Sequence, residues 1–119
     1  MTYNIESMNL ATTNLDAMVE FYAHVFGVVF ERHEIAGGEL YEGTFAGIPL
    51  VLIPAALVGI AATDNRMQLD IAVSDIRSVI EQVEGHGGRT NGKLVEDDEV
   101  RCFGVFDPDD NFIVFKEHK

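Results

Sequence analysis

The sequence holds no tryptophan, a single cysteine, three prolines and only eight Lys and Arg residues against twenty Asp and Glu. Each shortage excludes something. One thiol, Cys102, cannot form a disulfide within the chain, which fits a reducing, cytoplasmic setting. The shortage of positive charge leaves a net −12 over 119 residues. Such a field repels phosphate backbones and anionic lipid, so neither nucleic acid nor a membrane is an expected partner. Cationic or neutral ligands are favoured instead. The start, Met1-Thr2-Tyr3-Asn4-Ile5-Glu6, lacks the basic and apolar stretches of a signal peptide. The longest apolar run, residues 46–62, is shorter than the ~20 residues a spanning helix needs. Pro49 and Pro54 also interrupt it, and it reads as a buried strand followed by an apolar connection. No P-loop, no G-x-G-x-x-G after a strand, no G-x-S-x-G and no paired C-x-x-C occurs. The acidic turn 107–111 lacks the spaced oxygens and distal Glu of a calcium loop.

What is present is a 47% hydrophobic chain of a length that suits one domain with a real core. It repeats itself. A shift of 61 positions lays Met8, Leu10 and Thr12 on Leu69, Ile71 and Val73, and Gly43-Thr44-Phe45 on Gly104-Val105-Phe106. Each half opens with alternating residues, the mark of a half-buried strand. A helix follows. Its stripe is Leu15, Met18, Val19, Tyr22, Val25 and Phe26 in the first half, and Ile76, Val79, Ile80 and Val83 in the second. Thr13 or Asn14, and Ser74 or Asp75, can cap these helices; Gly27 and the glycines at 85, 87 and 88 can end them. Three strands are expected after each helix, near 28–34, 38–45 and 48–53, then near 89–94, 98–106 and 111–116. The fold class is therefore α+β: two βαβββ modules, 1–55 and 66–119, joined by an apolar linker, 56–65. A four-stranded sheet with one helix leaves a face uncovered, so two curved mixed sheets around a cleft are expected.

The run Asn14-Leu15-Asp16-Ala17-Met18-Val19-Glu20-Phe21-Tyr22-Ala23-His24-Val25-Phe26-Gly27 resembles the "DL-x-x-x-x-x-FY-x-x-x-LG" signature of the vicinal oxygen chelate superfamily. That group contains glyoxalase I, bleomycin resistance proteins, fosfomycin resistance enzymes and extradiol dioxygenases. Phe106-Asp107-Pro108-Asp109-Asp110-Asn111-Phe112-Ile113 resembles its "F-x-DPDGN-x-I" turn, with Asp110 where Gly is usual. Val73-Ser74-Asp75-Ile76 resembles its "V-x-D-I/V" approach to the second helix. The resemblance spans the whole chain and implies the glyoxalase/bleomycin-resistance-like fold and a homodimer. It also implies a divalent metal in enzymatic members. The family's ligand positions fall here on Ser7, Gln68, Val114 and Ile53. Ser is a weak ligand and Val and Ile are none, while a catalytic site needs about three protein ligands. No metal and no other cofactor is therefore expected.

Alternation sorts the residues available to a ligand. With Met8, Leu10, Leu69 and Ile71 turned to the helices, Ser7, Asn9, Gln68 and Asp70 face the cleft. Phe112, Val114 and Lys116 join them. Glu42 is expected there too and, through the 61-residue shift, Phe103, with Arg101 at the rim. Phe103, Phe112 and Tyr41 are candidates for stacking on a flat ligand, and Cys102 is expected to point to the core. Asp70 is the best catalytic candidate. It reads either as a ligand-binding carboxylate or general base with a raised pKa, or as a solvated acid bonded to Asn9, Ser7 or Arg101. The chain thus reads as a metal-independent binder of a small organic molecule, cationic by charge balance. The alternative is a metal-dependent lyase, isomerase or dioxygenase using non-standard ligands.

Overall fold

The computed structural model describes residues 5–59 and 68–119, which fall into two compact units, Met1–Ala61 and Ala62–Lys119. In the first, strand β1 (Met8–Thr12) is followed by helix α1 (Leu15–Phe26) and strands β2 (Glu31–Ile35), β3 (Gly38–Phe45) and β4 (Ile48–Pro54), then by the short helix α2 (Ala55–Val58). In the second, β5 (Gln68–Ala72) leads to α3 (Ile76–Gly85), then β6 (Arg89–Thr90), β7 (Val95–Glu96), β8 (Val100–Phe106) and β9 (Phe112–His118). Both sheets are mixed and share one topology. The orders are β1-β4-β3-β2 and β5-β9-β8-β6, with β7 also on β8. The first strand of each sheet runs parallel to the last, and the remaining pairs are antiparallel. This is the α+β fold expected from the repeat.

Two differences from the expected strands have local causes. The strand expected near 89–94 is broken into β6 and β7, and Gly92 between them has φ +113°, a conformation that other residues rarely adopt. Part of the apolar linker forms α2, ended by Gly59 in the left-handed region; residues 60–67 lie outside the described residues.

Helix α1 packs on β4 and buries Met18, Phe21 and Tyr22. Across from them lie Leu50, Leu52 and Phe45, all nearly inaccessible. Tyr22, Phe26 and Phe45 form an aromatic cluster with centroids 4.8–5.5 Å apart. Phe21 was absent from the expected stripe, yet it is fully buried. In the second unit α3 packs on β8 and β9 and buries Ile76 and Val83 over Phe103, Val105, Ile113 and Phe115. Asp75 caps α3 by accepting from the Ser78 N–H at 3.3 Å. Full burial of a side chain of this size is worth roughly 1.5–3 kcal/mol, so these residues carry each unit.

The β8–β9 turn explains the departure at Asp110. Residue 110 has φ +65°, where Gly costs nothing and Asp is among the tolerated alternatives. Asp107 is buried and accepts from the backbone N–H of Asp109 and Asn111 and from the Asn111 amide at 2.7 Å. The turn is thus held from inside by the Asp107 carboxylate.

Candidate functional site

In each unit the helix covers one sheet face, and the other, here called the open face, carries the candidates. Pairing register assigns the faces. On the first sheet Asn9, Val51, Glu42 and Glu31 lie in one row across β1, β4, β3 and β2. Ser7, just before β1, donates to Asn9 Oδ1 at 3.5 Å. Glu31 and Glu42 sit directly opposite each other. They line an open groove of about 520 Å³ with Val29, Phe30, Thr44 and Pro49. His33 Nε2 stands 4.0 Å from Glu42 Oε2. Gly43 is required beneath this groove: a Cβ there would lie 2.6 Å from Val28 and 2.9 Å from the Val29 carbonyl oxygen.

On the second sheet one row is Gln68, Phe112, Phe106 and Arg89, and the next is Asp70, Val114 and Gly104. A third holds Ala72, Lys116, Cys102 and Val95. The polar centre is compact. Gln68 Nε2 donates to Asp70 Oδ1 at 2.8 Å, and Lys116 Nζ lies 3.0 Å from Asp70 Oδ2. Around it the Phe106 and Phe112 rings lie 5.1 Å apart, with the Arg89 guanidinium 4.6 Å over Phe106. Gly104 leaves room for the Phe112 ring, since a Cβ there would come within 2.8 Å of it.

The electrostatics reverse one expectation. The hydrogen bond from Gln68, and then that from Lys116, hold the Asp70 carboxyl below its ordinary range rather than above it. Asp70 raises the Lys116 ammonium in turn. Asp70 is thus a stable carboxylate, 44% exposed, not a base of raised pKa. Its partners are Gln68 and Lys116 rather than Arg101, which lies on the opposite face of the sheet.

The open faces therefore hold Ser7, Asn9 and Glu42 on one sheet, and Gln68, Asp70, Phe112 and Val114 on the other. Four expected placements fail, and the three on β8 do so for one reason. The β3–β4 hairpin turns on two residues, 46–47, and the β8–β9 hairpin on five, 107–111. The difference is odd, so a shift that aligns β4 with β9 turns β8 over. Phe103 pairs with Phe115 on the helix-covered face and is only 8% exposed. Arg101 pairs with Glu117 on that same face and binds Glu96 and Glu117. Cys102 faces the open side, across from Lys116, rather than the core. Tyr41 lies opposite Leu52 on the covered face of the first sheet, edge-on to Phe30. Lys116 stands on the face where alternation placed it, whereas Phe106 and Gly104 were not among the residues expected there. Counting back from β9 through a five-residue turn would have found the last two.

The ligand set implied for a family metal does not fit. Of Ser7, Gln68, Ile53 and Val114, two have hydrocarbon side chains and offer no donor. Beside Gln68, the nearest carboxylate is already neutralised by the Lys116 ammonium, which would repel a divalent cation.

Residues 7–114 match the family model of a glyoxalase-like domain. Comparison with curated proteins gives no significant match. Among solved structures, the chain resembles a glyoxalase-related enzyme from Fulvimarina pelagi, with TM-score 0.79 and 18% identity over 98% of this chain and 88% of the other. A glyoxalase/bleomycin resistance protein/dioxygenase family enzyme from Burkholderia phytofirmans PsJN gives 0.79 and 15%, covering 97% and 98%. The fosfomycin resistance protein FosX from Listeria monocytogenes gives 0.81 and 11%, covering 100% and 94%. At these identities the likeness is one of fold.

Proposed function

Starting from a chain that belongs to the glyoxalase-like domain family, we propose that it is a metal-independent small-molecule-binding protein of the glyoxalase/bleomycin-resistance type. The observation that carries this reading is the open face of the second sheet. A small polar centre, Gln68, Asp70 and Lys116, sits on a floor of Phe106, Phe112 and Val114. An apolar surface with a few convergent polar groups is the ordinary make-up of a small-molecule site. Val114 stands where the family resemblance implies a metal-binding Glu, and the only carboxylate in that row is held by a lysine. The ligand-binding residues in this reading are Gln68, Asp70, Phe112 and Val114 on the second sheet, and Ser7, Asn9 and Glu42 are the candidates on the open face of the first. The net charge favours a cationic or neutral organic molecule. A cytoplasmic homodimer without nucleic-acid or membrane partners completes the proposal. Among the described residues, no helix is long and apolar enough to cross a membrane.

Elemental analysis of protein purified without chelators tests the metal-independent part. Substoichiometric nickel, zinc, manganese and iron are expected. One equivalent of metal, lost in Gln68→Ala, would establish the metal-dependent lyase, isomerase or dioxygenase instead. A thermal-shift screen over antibiotics, thiol conjugates and aromatic acids tests the binding part. Stabilisation lost in Asp70→Asn is the expected result; no stabilisation by any compound overturns it.

A further inference from the structure

The polar centre of the second sheet specifies more than a generic small molecule. We propose that it recognises a zwitterion, an ammonium and a carboxylate on neighbouring atoms attached to an apolar or aromatic body, as in an aromatic α-amino acid. The inference rests on the small-molecule reading above and names the ligand class for it.

The argument counts hydrogen-bonding capacity. Asp70 Oδ1 accepts one bond from Gln68, and Oδ2 faces the Lys116 ammonium at 3.0 Å. Each carboxylate oxygen keeps a free lone pair. Lys116 has three N–H donors and directs one at Asp70, leaving two. Gln68 spends an amide N–H on Asp70 and keeps its carbonyl oxygen. The face therefore offers acceptors on the Asp70–Gln68 side and donors on the Lys116 side. Both charged groups remain reachable, Asp70 44% and Lys116 38% exposed.

A ligand bearing only an anion meets Lys116 but also Asp70 beside it, within a chain of net charge −12. A ligand bearing only a cation meets Asp70 but also the lysine. A zwitterion laid antiparallel to the Asp70–Lys116 pair satisfies both, and its zero net charge escapes the long-range field. The apolar body has a place as well. Phe112, beside Gln68, and Val114, beside Asp70, share this face, and the residue opposite Val114 is Gly104, which adds no side chain. Lys116, paired with Asp70, is on this reading the residue that sets specificity, because it separates a zwitterion from a plain amine.

Three probes of one skeleton test this: L-phenylalanine, 3-phenylpropanoate, which lacks the ammonium, and 2-phenylethylamine, which lacks the carboxylate. Calorimetric titration of the whole chain should give L-phenylalanine a Kd about tenfold or more below either relative. Its addition should shift the NMR signals of Val114 and Phe112. Lys116→Met should abolish the advantage over 2-phenylethylamine, and Asp70→Asn the advantage over 3-phenylpropanoate. Both positions are half-exposed, and circular dichroism verifies that each variant is folded. Equal affinity for either single-charge probe overturns the proposal. So does a preference that survives both variants, or binding by none of the three. If compounds from the wider screen shift Val114 and Phe112 while the phenylalanine series does not, the zwitterion is wrong and the binding reading stands. If nothing shifts them, both fall.

Discussion

At the scale of single residues, neighbours on one strand have opposite jobs. Phe103 supports the fold from beneath the sheet, whereas Gly104 lies on the open face with Phe112 against it. Phe103→Ala should therefore cost about 3–5 kcal/mol of unfolding free energy, because it opens a cavity under α3. In the fraction that stays folded, the open face keeps its ligand preference. Urea denaturation together with ligand titration checks this. A stable Phe103→Ala protein that has lost binding would return Phe103 to the site. Asp70 illustrates the same dependence on neighbours. An acid in a central strand reads as a candidate base, yet one amide and one ammonium from the same face turn it into a fixed anion.

At the scale of elements, the start of α3 is held by a residue from another strand. Glu117 on β9 accepts from the Ile76 N–H at 3.1 Å and also binds Arg101, which in turn binds Glu96. A carboxylate at a helix N-terminus satisfies an orphan donor and complements the helix dipole. The Arg101 hydrogen bond, and then that from the Ile76 backbone, hold Glu117 below the usual carboxylate range. A pKa lowered by folding stabilises the native state above the unfolded-state pKa. That contribution is lost as pH falls through the lower native value. Glu117→Gln should therefore be less stable than the parent at neutral pH, and the gap should close as the pH is taken into the acid range. Denaturation midpoints followed from pH 7 downward read the effect. A gap that is constant with pH would place the role of Glu117 in packing rather than charge.

At the scale of the whole molecule, the apolar connection bears on association. Leu57 and Val58 on α2 are 36% and 43% exposed, and Ile35 on β2 is 36% exposed. The Leu57 methyl groups lie within 3.2 Å of where a Cβ would stand on Gly37 and Gly38, so α2 lies closely over the β2–β3 turn. Exposed apolar side chains of this kind suit a contact between copies, with the acidic charge kept to its rim. Light scattering at micromolar concentration should give twice the 13.1 kDa of one chain, and more firmly so at high salt, where repulsion is screened. A specific dimer should bury at least about 1,000 Å². A mass near 13.1 kDa at every salt concentration would overturn the dimer.

Alternation in Met8–Thr12 and Gln68–Ala72, the two apolar stripes and the 61-residue self-similarity determined the strand–helix–strands order and the place of both helices. These patterns are local: a strand repeats every two residues and a helix every 3.6, and the solvent side is polar whatever lies across from it. The same logic placed Gln68, Asp70, Phe112 and Val114 on one face, because parallel neighbours in one sheet keep their alternation. Only the tertiary structure decided the face of β8. The number of residues in a turn sets the parity of the strand that follows, and turns of two and five residues differ by an odd number. It alone decided Asp70 as well. A carboxylate takes its proton affinity from what stands within hydrogen-bond reach, and Lys116 lies 46 positions further along the chain, at 3.0 Å in space.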